Sequence, residues 1–185
     1  MTLRAVDAPR VAIVWFVAIA LLSVGCGGGS STVVNVGSPL PDLDLRTLDG
    51  APLGLDDVPG EGPLILSFWA TWCEPCVREV PTLASLHREG EARVLAVSID
   101  GDPQRVVPPF VERHRIDYPI AVASAESALA VGAVSIPFTL VLDDAAVVRA
   151  VHDGYTTRRA LARSLWELRG ADRGDDAEPA AAPAS

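Results

Sequence analysis

Cys73 and Cys76 are separated only by Glu74 and Pro75, and they follow a short apolar run, Pro63-Leu64-Ile65-Leu66-Ser67-Phe68-Trp69. Such a run suits a buried central strand. From Val77 onward the apolar residues Val80, Leu83, Ala84 and Leu86 recur at helical spacing, with Arg78, Glu79, His87 and Arg88 as the polar remainder and Pro81 as an expected kink. The thiol pair therefore falls at a strand-to-helix junction. At a helix start, unpaired backbone N–H groups and the positive end of the helix dipole stabilise the Cys73 thiolate, the nucleophilic form. Cys76, one turn on, is placed to resolve a mixed disulfide. Pro75 fits the first turn, where its missing N–H costs no hydrogen bond. The pattern is that of a redox centre.

Two other readings compete. Half a zinc site would need a second ligand pair, and only His87, His114, His152 and the distant Cys26 remain, none of them paired at ligand spacing. A static disulfide closing a two-residue loop would constrain the unfolded chain little and make a poor staple.

The 185 residues allow one domain with appendages. Net charge is −9, and the fifteen basic residues are all Arg. An acidic chain without a basic run does not suit nucleic-acid binding. The third cysteine, Cys26, has its own context. Arg4 and Arg10 precede an uncharged run from Val11 to Gly25, of a length for a signal-peptide core and shorter than the ~20 residues of a spanning helix. Gly25-Cys26 at its end resembles the lipobox of bacterial lipoproteins, in which cleavage before the Cys is followed by its lipidation; Ser23 stands where that pattern usually has Leu. An uncleaved signal anchor is the alternative. Either way the remainder is expected outside the cytoplasm, tethered, where disulfides form and exchange. The expected organisation is a signal segment over 1–25, a Gly/Ser-rich tether over 26–36, a folded domain over 37–170 and a disordered Asp/Ala/Pro tail over 171–185.

Within the domain, alternation at Leu43 and Leu45 and the Asp49-Gly50 turn signal predict a β-hairpin ahead of the central strand. Arg93 to Ile99 reads as a buried parallel strand joined by a βαβ crossover and closed by Asp100-Gly101-Asp102. A helix over Arg105 to Arg115 is expected to break or restart at Pro108-Pro109. A short strand at Tyr118–Val122 and a short helix from Ala125 to Val131, ended by Gly132, follow. Pro137 opens a strand running to Asp143, Ala146 to Val151 pairs back with it, and Thr156 is expected to N-cap a last helix burying Leu161, Leu165 and Leu168.

These residues resemble a known family. Phe68 to Cys76, Pro81, Val97-Ser98-Ile99-Asp100, Ile136 to Asp143 and His152-Asp153-Gly154 are similar to the membrane-tethered, extracytoplasmic thioredoxin-like proteins of the TlpA/ResA type, over about Gly37 to Arg169. The resemblance implies an α/β thioredoxin fold: a central mixed sheet flanked by helices, with an N-terminal β-hairpin and an inserted strand–helix. It implies a cis Pro137 beside the Cys pair and substrate contacts from Trp72, Glu74, Pro75, Ile136 and Pro137. Where thioredoxin carries a buried acid this chain has Ser67, and the resemblance gives the acid's part to Glu79, on the same helix face as Cys76. The other reading of Glu79 is a solvated residue pairing with Arg78 or His87. Glu74, between the cysteines, should disfavour the Cys73 thiolate and bias the couple away from a strong oxidant.

The activity implied is thiol:disulfide exchange by a monomer without metal or organic cofactor. The clients implied are disulfide-containing exported proteins, apocytochrome c among them, and the reductant implied is a membrane thiol-electron carrier. A disulfide-donating oxidase, a peroxiredoxin-like peroxidase and a non-catalytic thioredoxin-fold binding module are the alternatives.

Overall fold

The computed structural model describes residues 34–172. Five strands, β1 (Leu64–Trp69), β2 (Arg93–Ser98), β3 (Ile120–Val122), β4 (Phe138–Leu142) and β5 (Val148–Asp153), form one mixed sheet in the order β3-β2-β1-β4-β5. β1 pairs with β2, and β2 with β3, in parallel; β4 runs antiparallel to both β1 and β5. Among the described residues the α-helices are α1 (Glu74–Arg88), α2 (Pro103–His114), α3 (Ala125–Ala130) and α4 (Arg158–Asp172). This is the thioredoxin-like α/β architecture, with β3 and α3 as the inserted strand and helix.

Successive side chains of a strand face opposite sides of the sheet. Both sides of β1 are covered, so every one of its residues is buried. Ile65 and Trp69 join a core that includes Leu83 and Leu86 of α1, Phe110 of α2 and Leu161 and Leu165 of α4. Leu64, Leu66 and Phe68 join a second core with Leu95, Val97, Leu140 and Leu142, closed by Ala128 of α3 and by Val34, Leu45 and Val58 of the N-terminal segment.

That segment departs from the expected hairpin. Arg46 and Pro52 form a single antiparallel bridge around the Asp49-Gly50 turn, and no extended strand pair develops. Pro39, Pro41 and Pro52 supply no N–H to a ladder, which limits pairing to isolated rungs. The segment instead reaches both sheet edges: Pro39 bridges Val147 beside β5, and Arg46 bridges Val122 of β3.

Two further expectations are corrected. α2 starts at Pro103 and continues unbroken through Pro108 and Pro109. The carbonyls left without a helical donor belong to Gln104 and Arg105, both exposed, where water can serve them. At the start of α4 the cap is Thr157, whose Oγ1 accepts the Ala160 N–H at 3.3 Å, while the Thr156 hydroxyl donates to the Gly154 carbonyl. α1 passes through Pro81 as one helix. Among the described residues no helix is long and apolar enough to cross a membrane. The signal segment, Cys26 and the tail beyond Asp172 lie outside the described residues, whereas Val34 is already buried in the second core.

Candidate redox site

β1 ends at Trp69 and the chain turns through Ala70-Thr71-Trp72-Cys73, with the Cys73 N–H donating to the Ala70 carbonyl at 3.1 Å. Cys73 is the N-cap of α1: its backbone is extended, with φ −85° and ψ 98°, and its Sγ accepts the Cys76 N–H at 3.3 Å. Glu74 and Pro75 occupy the first turn. The two sulfurs are joined in a disulfide with Cα atoms 5.2 Å apart. Both cysteines are almost covered, at 4% and 3% exposure, whereas Trp72 stands 70% exposed beside them.

The Ile136–Pro137 bond is cis and the Ile136 carbonyl oxygen lies 3.6 Å from Cys73 Sγ. The loop is held from behind, since the Pro137 carbonyl accepts the Gly154 N–H at 2.8 Å and the Ser135 hydroxyl donates to Asp153. Val134, 78% exposed, extends the apolar rim next to Ile136. Glu74 is exposed and pairs with Arg78 at 3.0 Å, and the Arg78 guanidinium also lies over the Tyr155 ring. This partner screens the charge that Glu74 brings to the Cys73 side.

Glu79 is 1% exposed and pairs with neither Arg78 nor His87; its carboxylate accepts the backbone N–H of Thr156. Burial pushes its carboxyl up from 4.5 to about 7, against the lowering effect of the Thr156 hydrogen bonds. On α1 it is one turn beyond Cys76, which is also buried. Ser67, in the strand position where thioredoxin has its acid, accepts a hydrogen bond from the Thr139 hydroxyl at 3.0 Å, both groups being 1% exposed.

Sequence reasoning missed two contributors. One is Thr156, read as a helix cap, whose amide holds Glu79. The other is Asp100, read as the end of a strand. Its carboxylate accepts the Thr71 N–H at 3.1 Å, the Thr71 hydroxyl at 2.7 Å and the Ser98 hydroxyl at 2.8 Å. The signal was available: parallel β1 and β2 end side by side, so the residues following each meet. Among the described residues no cluster of His, Cys, Asp and Glu gathers to hold a metal ion.

The AhpC/TSA family model matches residues 36–151. The chain belongs to the AhpC/TSA family. A ResA thiol-disulfide oxidoreductase from Geobacillus thermodenitrificans is 33% identical over 142 residues, 75% of this chain and 80% of that protein. Among solved structures, the thio-disulfide isomerase from Thermus thermophilus shares 28% identity, covering 72% of this chain and 96% of that one, at a TM-score of 0.56. A thiol:disulfide interchange protein from Bacteroides sp., at 18% identity, covers 78% and 97% at a TM-score of 0.61, a likeness of fold. This family member is of the TlpA/ResA kind, a thioredoxin-like thiol:disulfide oxidoreductase whose redox couple is Cys73 and Cys76.

Proposed function

We propose that the protein is a membrane-tethered, extracytoplasmic reductant of disulfides in exported proteins. The observation that carries the chemistry is Cys73 at the N-cap of α1, its sulfur held by the Cys76 amide, with the buried carboxyl of Glu79 one turn further along. In the dithiol form the helix-start N–H groups favour the Cys73 thiolate. That thiolate attacks a client disulfide, one client sulfur leaves as thiolate and takes a proton, and a mixed disulfide forms. Cys76 then gives its proton to the Glu79 carboxylate and attacks Cys73 Sγ. The mixed disulfide breaks, its client sulfur leaves as thiolate and takes up a proton, and the client departs as a dithiol with the protein as the Cys73–Cys76 disulfide, two electrons having passed to the client. A carboxyl near 7 is suited to this transfer, since a substantial fraction is ionised at neutral pH.

The backbone around cis-Pro137, with Ile136, Trp72, Glu74 and Pro75, forms the client-binding rim. Export and tethering are supported by the Val11–Gly25 run and by Cys26 directly after Gly25, with lipidation of Cys26 as the anchor. The spacer after Cys26 would leave the domain free to meet a membrane thiol-electron carrier, which restores the dithiol, and clients such as the haem-site cysteines of apocytochrome c.

The deciding experiment is the reduction potential of the Cys73–Cys76 couple in a fragment spanning 34–172, equilibrated against defined dithiothreitol buffers. A value near that of thioredoxin, about −270 mV, is expected of a reductant. A value near about −120 mV would make the protein a disulfide donor instead.

A further inference from the structure

The last rung between β1 and β2 is the Ile99 N–H donating to the Trp69 carbonyl at 3.0 Å. Beyond it one chain continues as Ala70-Thr71 towards Cys73 and the other as Asp100. The Asp100 side chain closes the gap between them. All the groups that reach it are donors: the Thr71 N–H, the Thr71 hydroxyl and the Ser98 hydroxyl. Its own N–H donates to Ser98 Oγ at 3.2 Å, so Ser98 bonds it twice. The side chain is 8% exposed and, among the described residues, has no ion-pair partner. A buried carboxylate without a counter-charge is costly unless hydrogen bonds surround it. Here they do, and they converge on one residue of the turn that delivers Cys73.

Thr71 is the second residue of that turn, Ala70 to Cys73, and it is held by both its amide and its side chain. The next residue is Trp72, whose indole stands out on the client-facing rim; the one after is Cys73, whose extended backbone lets Sγ accept the Cys76 N–H. With Thr71 released, the turn beyond the Ile99–Trp69 rung keeps no other hydrogen bond to β2 or Asp100 among the described residues, and Cys73 can leave the cap geometry on which its thiolate depends.

We propose that Asp100 is a positioning residue of the redox site: through Thr71 it fixes the turn that keeps Cys73 at the N-terminus of α1 and Trp72 on the rim. The inference rests on the oxidoreductase reading only for its consequence in turnover, since thiol reactivity tests the geometry directly.

Asp100→Ala would strand three donors and is a poor test, because loss of folding would explain any defect. Thr71→Val removes one donor with little change of volume and no change of charge, and Thr71→Ser keeps both. The measurement is the alkylation rate of Cys73 in the reduced full chain across pH, read on the Cys73 peptide by mass spectrometry, beside insulin reduction and the melting temperature. Thr71→Val is expected to raise the alkylation midpoint and lower the rate at pH 7 by about threefold, as loss of cap geometry should, with Thr71→Ser restoring both. A Thr71→Val protein that melts earlier but alkylates along the wild-type profile would overturn the proposal, leaving Asp100 a purely structural brace. If wild type fails to reduce insulin while Thr71→Val still shifts the profile, the positioning role stands and the oxidoreductant reading falls.

Discussion

On one side of β1, Leu64, Leu66 and Phe68 pack into an apolar core; on the other, Ile65 and Trp69 share a core with the cysteines, while Ser67, Glu79 and Thr139 are buried on the same side. Both sides are well covered, yet the cysteines, Glu79 and the Ser67–Thr139 hydroxyl pair all lie on one of them. The apolar side is closed by α3 and by an N-terminal segment with almost no regular structure, so its stability comes from area and fit. The redox side is closed by α1, α2 and α4, and three of its buried polar groups are tied to partners far along the chain: Glu79 to Thr156, Ser67 to Thr139, Asp100 to Thr71. Chemistry has been placed where long helices can position it, and the opposite side is left to bury apolar surface.

If this division holds, damage to the apolar side should lower stability without touching redox behaviour. Phe68 is fully buried, its ring 6.4 Å from that of Phe138. Phe68→Ala is expected to cost about 3–5 kcal/mol by denaturant unfolding, the transfer and cavity terms together. The Cys73–Cys76 potential of the folded fraction should remain that of wild type. A shifted potential would mean that the two sides are coupled through β1.

The redox side should show its own signature in pH. The Glu79 carboxyl sits at about 7 in the fold against 4.5 for an ordinary one. Between those values the unfolded chain loses this proton while the folded chain keeps it. The unfolded state then binds fewer protons, and stability falls as pH rises from about 4.5 to 7. Glu79→Gln retains an acceptor for the Thr156 amide but has no such slope. Denaturant midpoints of the oxidised proteins at pH 5 and pH 8 should therefore diverge, the variant gaining on wild type at the higher pH. Parallel behaviour would show that Glu79 is as solvated in solution as an ordinary surface acid.

How much of this was legible in the sequence follows the same division. β1, β2 and β4 were readable because strands buried on both faces are continuously apolar, and the Cys73 cap was readable because Cys-Glu-Pro-Cys follows such a strand. Pro137 and Glu79 were reached through family resemblance; position alone left Glu79 equally open to pairing with Arg78 or His87. What removed it from solvent is the Thr156 loop, 77 residues away in sequence. The N-terminal hairpin was overread because alternation at Leu43 and Leu45 signals a half-buried strand, while neighbouring prolines limit the ladder to single rungs. The break at Pro108-Pro109 was overread because the cost of a missing helical bond depends on whether the freed carbonyl is buried, which the local sequence does not reveal. Asp100 was missed although parallel pairing of β1 and β2 was expected, because its bonds depend on the register at which the two strands end and on the course of the turn after Trp69, which the apolar pattern does not reveal.

The smallest expected effect separates polarity that the redox side needs from polarity it merely tolerates. Ser67 and Thr139 are paired with each other in the strands, and neither has a further side-chain partner among the described residues. Ser67→Ala leaves the Thr139 hydroxyl buried and unpaired, which should cost about 1–3 kcal/mol. Adding Thr139→Val removes the stranded group as well, and the double variant should recover most of that loss, since replacing both partners of a buried hydrogen bond by apolar groups is nearly neutral. The potential and the Cys73 alkylation profile should be unchanged in all three proteins if Glu79 alone carries the proton. Should the double variant instead alter the alkylation profile, the hydroxyl pair would belong to the proton path, standing in for the acid that thioredoxin keeps at the position of Ser67.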